Sequence, residues 1–107
     1  MKNLEFQQGD VLGYRIKTLP SGAKKVTTKN GRIILAEGEA TGHHHSIAAT
    51  PEIELFEENG TLYLRAEEDC TVIHQEHNPV GIKEGIFEIG TVLEYDHFAE
   101  EARKVFD

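Results

Sequence analysis

The chain has 107 residues, of which 38% are apolar and 28% charged, with a formal net charge of −8, a single cysteine and six histidines. That is enough chain for one domain with a buried core and no disulfide. The acidic balance argues against a nucleic-acid partner, because phosphates are held by Lys and Arg, and no apolar run approaches the roughly 20 residues of a membrane-spanning helix. Met1-Lys2-Asn3-Leu4-Glu5 lacks the apolar centre of a signal peptide, so a cytoplasmic location is expected.

Taken in order, the sequence reads as short strands separated by turns. A first strand is expected near Asp10 to Lys17, with Gly9-Asp10 as the turn that opens it, and Leu19-Pro20-Ser21-Gly22 closes it. Asn30-Gly31 and Asn59-Gly60 are both Asn-Gly pairs, which suit the two positive-φ positions of a type I′ turn. Each lies between strand-like segments, so two hairpins are predicted: Ala23 to Lys29 with Arg32 to Glu39, and Glu52 to Glu58 with Thr61 to Ala66. In the second, Leu62, Leu64 and Ala66 form the inward set against Tyr63 and Arg65.

Glu67-Glu68-Asp69 precedes a strand at Cys70 to Gln75, and Lys83-Glu84-Gly85 joins a short strand at Val80 to Ile82 with a longer one at Ile86 to Glu94. Phe87, Ile89, Leu93 and Tyr95 share one face of that last segment. Cys70 has no internal partner, and the acidic residues before it disfavour a thiolate, so a partly buried structural thiol is expected. In the tail, Asp96 is placed to cap a helix in which Phe98, Ala102, Val105 and Phe106 recur at helical spacing, over about residues 96–106. The expectation is one all-β domain over residues 1–107, a small barrel or two-sheet sandwich with a short C-terminal helix.

Five of the six histidines fall in two short segments, Gly42-His43-His44-His45-Ser46 and His74-Gln75-Glu76-His77-Asn78-Pro79. Strand alternation turns His43 and His45 to one face and His44 to the other. A His-x-His pair on a strand is a two-point clamp for a divalent transition metal such as Zn, Fe, Ni or Mn. A complete site needs three or four ligands, and His74 and His77 are the candidates to join. Three residues apart on a regular strand they would face opposite ways, so either the chain bends before Pro79, which cannot extend a central ladder, and both reach one ion, or only one of the two is a ligand. Glu76 lies on the His74 face and suits a carboxylate ligand, an imidazole N–H acceptor or a proton carrier. Glu37 and Glu39 share a face just before the first cluster, and His97 opens the tail helix.

Three other readings stay open. The histidines can bind a small molecule or move protons without a metal, or they can bridge copies of a homo-oligomer, since small β-domains assemble through exposed strands. Three consecutive histidines can also be an incidental surface loop.

The string Ala36-Glu37-Gly38-Glu39-Ala40-Thr41-Gly42-His43-His44-His45 resembles the AEGE-x-TGH-x-H segment of short uncharacterised bacterial and phage proteins. The resemblance runs on through Gly60-Thr61-Leu62-Tyr63-Leu64, His74-x-x-His77, Pro79-Val80, Gly85-Ile86-Phe87 and Glu94-Tyr95-Asp96. It implies that His43, His45, His74 and His77 are the site residues and that His44 is variable. The family-like pattern has Pro after the Tyr-Asp pair, where this chain has His97. The chain is also loosely similar to cupins, jelly-roll barrels that hold a metal by His-x-His. The cupin Glu after that motif is missing, with Ala49 and Thr50 in its place, as is the Pro-x-Gly of the second cupin motif. Such a likeness implies architecture and no reaction.

Overall fold

The computed structural model describes residues 3–28, 30–37 and 42–92. Within them ten strands run in chain order: β1 (Asn3–Gln8), β2 (Val11–Ile16), β3 (Lys24–Lys25), β4 (Arg32–Glu37), β5 (His44–Ala48), β6 (Ile53–Glu58), β7 (Thr61–Ala66), β8 (Cys70–Ile73), β9 (Val80–Ile82) and β10 (Gly85–Thr91). They form two antiparallel sheets, a six-stranded one in the order β1-β2-β10-β7-β6-β3 and a four-stranded one in the order β4-β5-β8-β9. Of the two architectures expected, the pair of sheets is present and a closed barrel is not found among the described residues. The helix expected over residues 96–106 lies outside the described residues, as do Leu93 and Tyr95.

One apolar core draws on both sheets. Phe6, Ile53, Leu55, Leu64, Phe87 and Ile89 come from the larger, and Ile33, Leu35, Ile47, Val72 and Ile82 from the smaller. The inward set of β7 is as the alternation predicted, with Leu64 and Ala66 buried and Leu62 packed against them. Phe6 and Phe87 meet edge to face at 5.6 Å, pinning β1 to the centre of the larger sheet.

The second Asn-Gly pair makes the predicted hairpin. Glu58 pairs with Thr61, and Asn59 and Gly60 take φ of 52° and 83°. The first does not. Asn30 and Gly31 adopt the same left-handed conformation, at 51° and 73°, but the strands on either side go to different sheets. On the near side, Lys24 and Lys25 pair with Glu57 and Phe56, Val26 N–H donates to Leu55 O, and Lys25 Nζ lies 3.2 Å from Glu54 Oε2. On the far side, Ala49 N–H donates to the Gly31 carbonyl, which starts the β4–β5 ladder. The Asn-Gly pair sets the turn angles, and the pairing depends on what each flanking segment meets across the sheet.

Strand β1 was not foreseen. It pairs with β2 through the two-residue turn Gly9-Asp10, in the register Gln8↔Val11, so Asp10 is a turn residue as expected. Its even-numbered residues Phe6 and Gln8 are buried while Leu4 remains exposed. Opposite Phe6 stands Gly13, where an added Cβ would clash with the edge of the Phe6 ring. Replacing Gly13 by Ala must displace a buried ring from a close-packed core, and is expected to destabilise the protein by about 1–3 kcal/mol. A urea unfolding curve checks this, with a lower midpoint at unchanged slope, and an unchanged midpoint would contradict the packing described.

Candidate metal centre

The two histidine segments meet because of the register of the smaller sheet. Strands β5 and β8 pair as Ser46↔Ile73 and Ile47↔Val72. One step further along that register places His74 opposite His45, then Gln75 opposite His44 and Glu76 opposite His43. The side chains follow this order beyond the end of β8. The His45 and His74 rings lie 4.4 Å apart between centroids, His44 N–H donates to Gln75 Oε1 at 2.9 Å, and His43 Nδ1 is 2.9 Å from Glu76 Oε1. That last pair has ion-pair distance without hydrogen-bond alignment, so His43 Nδ1 is enclosed with no hydrogen-bond partner.

The bend that strand alternation required is present. Regular structure stops at Ile73 and resumes at Val80, and the six residues between form the β8–β9 connection. Glu76 N–H donates to His74 Nδ1 at 3.0 Å, a local contact that tightens the bend. His77 then returns to the same side, 4.7 Å from the His74 ring and 5.7 Å from the His45 ring. His43 stands 5.7 Å from His74, edge to face. Thus His43, His45, His74 and His77 form one cluster of four imidazoles, with Glu76 at its outer edge.

His45 is the buried member, 2% exposed, and shares the inward face of β5 with Ile47. His44 and Ser46 face the other way, as the alternation predicted. Ser46 is buried there because Arg32 lies over it, its Nε–H donating to the Ser46 hydroxyl and its terminal amino group to the Ser46 carbonyl, each at 3.1 Å.

Gln8, Gly9 and Asp10, the end of β1 and its turn, complete the surroundings. Gln8 is 3% exposed and takes the Nδ1–H of His45 on its Oε1 at 2.8 Å. Asp10 Oδ1 is 3.6 Å from His45 Nε2 on the solvent side. Gly9 has no side chain to occupy the place of the His77 ring: an added Cβ would sit 2.6 Å from His77 Nε2. Composition did not single out these positions beyond the turn. The available signal was the two-residue loop after the alternating Leu4, Phe6 and Gln8.

Burial disfavours a charged His45 and pushes its pKa below the ordinary 6.5, reinforced by His74 and opposed by Asp10. The His74 pKa is lowered as well, first by desolvation and then by His77 and His43. Both effects keep the rings neutral, the form that ligates metals. Cys70 takes no part. Half-buried at the start of β8, it is pushed up to about 11 by burial and by Asp69 and Glu68, so it stays a thiol at neutral pH, as its acidic neighbours suggested.

As the rings stand, no three His, Cys, Asp or Glu side chains among the described residues gather their donor atoms around one point. Rotation of the rings outside the core would be needed to complete a coordination shell. His45 is held in place, whereas His77 is exposed.

The lowered pKa of His45 fixes the sign of a pH effect on the metal-free protein. Above 6.5 both folded and unfolded chains carry a neutral His45; below it the unfolded chain takes up a proton that the folded one resists. Stability is therefore expected to be full above that value and to fall as the pH drops through it. In urea titrations with chelator from about pH 7.5 to about pH 5.5, His45→Gln should flatten this loss. Equal pH dependence in the two proteins would contradict the burial argument.

No helix among the described residues is long and apolar enough to cross a membrane. No curated protein and no solved structure matches the chain. A family model described as a domain of unknown function, DUF8820, matches residues 7–91, a span that holds Gln8, Asp10, all four clustered histidines and Glu76 but ends before Glu94-Tyr95-Asp96. The chain belongs to the DUF8820 family, an uncharacterised family, through nearly all of its described fold.

Proposed function

We propose that the protein binds a divalent transition metal through the histidine cluster. His45 Nε2 is the anchoring donor, and His77, His74 and His43 are the imidazoles available to complete the shell. The observation that carries this reading is the buried His45, with one ring nitrogen held by Gln8 and the other 3.6 Å from the exposed carboxylate of Asp10. A ligating histidine held at its second nitrogen by a buried hydrogen-bond partner is the arrangement that orients metal ligands in general. Imidazoles with a nearby carboxylate suit Zn, Fe, Ni or Mn, and the donor types do not select among them. The cupin likeness carries none of this.

A bound ion there would polarise a carbonyl or activate a water on a small polar molecule. Glu76, exposed and beside His43, is the group placed to carry a proton. His74 must exchange its contact with the Glu76 amide before Nδ1 can serve as a donor, so we assign it a later place in the shell than His77.

A second reading, histidines acting on a small ligand without metal, is favoured by the ungathered donors. Chelation separates the two. Tag-free protein should hold close to one equivalent of metal by elemental analysis. Zn or Ni at about 100 times its Kd should stabilise the fold by about 2.7 kcal/mol, with the gain abolished by chelator. His77→Ala, a change at an exposed ring, should remove most of that gain while leaving the metal-free fold intact. No stoichiometric metal and no response to Zn, Ni, Fe or Mn would overturn the metal reading.

A further inference from the structure

We propose that Gln8 is the positioning residue of this centre: it fixes which nitrogen of His45 is free and ties that ring to the bend carrying His74 and His77. As a statement about metal binding this rests on the reading above. As a statement about His45 it stands on geometry that does not involve a metal.

The Gln8 amide is committed at both ends. Its Nε2 donates to Val72 O at 3.0 Å and to Asn78 O at 2.9 Å. Both partners are backbone carbonyls, which can only accept, so the amide nitrogen must face them and the amide oxygen must face His45. An oxygen 2.8 Å from His45 Nδ1 requires a proton on that nitrogen. In the neutral imidazole the lone pair is then on Nε2, the nitrogen on the Asp10 side. One buried side chain therefore joins three segments: β1 by its backbone, β5 through His45, and the β8–β9 connection through the carbonyls at either end of the bend.

The carbonyls matter as much as the tautomer. Val72 is the core residue before the bend and Asn78 lies just past His77, so Nε2 closes the loop in which both outer histidines sit. Loss of Gln8 would free the His45 ring to turn over and release the bend at once.

Nitrogen-proton NMR of His45 on chelated protein at about pH 8, where histidine is neutral, tests the assignment. Wild-type protein should show the proton on Nδ1. Gln8→Met, similar in length but without hydrogen bonds, should lose that single tautomer. Gln8→Glu, which can still accept the Nδ1 proton but cannot donate to the carbonyls, should restore it. Zn affinity of Gln8→Met should fall by about 10–100-fold. A proton on Nε2 in the wild type overturns the proposal even if neither variant folds. So does an unchanged tautomer in Gln8→Met. If wild-type protein binds no Zn, the metal reading falls and the NMR result still decides the role of Gln8.

Discussion

The site depends on one buried amide. Gln8 sits at the end of an apolar core where a polar group left unpaired costs about 1–3 kcal/mol, and it uses its acceptor and both donors on His45, Val72 and Asn78. Of its partners, His45 and the Val72 carbonyl are buried and would each lose a hydrogen bond without it. The network is complete at this junction, which is the condition under which a buried polar network rigidifies a structure instead of weakening it. It also specifies geometry: an apolar residue at position 8 can fill the space but cannot choose between the two nitrogens of an imidazole.

The fold serves this junction by delivering three chain segments to the same corner. The β1–β2 hairpin brings Gln8, Gly9 and Asp10 from the larger sheet. Strand β5 brings His43 and His45 from the smaller sheet, and β8 hands over to a bend that brings His74, Glu76 and His77. Burial decreases outward, from His45 through His74 to exposed His77 and the carboxylates of Asp10 and Glu76.

Much of this was legible in the sequence, and the limits have physical causes. Period-2 alternation separates His43 and His45 from His44, and Asn78-Pro79 allows the bend that is found between Ile73 and Val80. The Asn-Gly signal identified two turns but only one hairpin. Turn residues report local backbone angles, whereas pairing depends on distant partners such as Leu55 for Val26 and Ala49 for Gly31. Strand β1 escaped because its even-numbered face holds only Leu4, Phe6 and the polar Gln8, a set that becomes meaningful once Phe87 and His45 stand opposite. Gln8 itself carries no signal in sequence, since a buried glutamine and a surface one read alike.

The proposal that His45 and neighbouring imidazoles take up one ion is most directly tested by diffraction from crystals of tag-free protein grown with Zn, recorded at the zinc absorption edge. An anomalous peak is expected about 2.0–2.1 Å from His45 Nε2, with at least one further imidazole bound and Gln8 still on Nδ1. A peak at His45 Nδ1, or zinc bound only at sites away from the cluster, would contradict it.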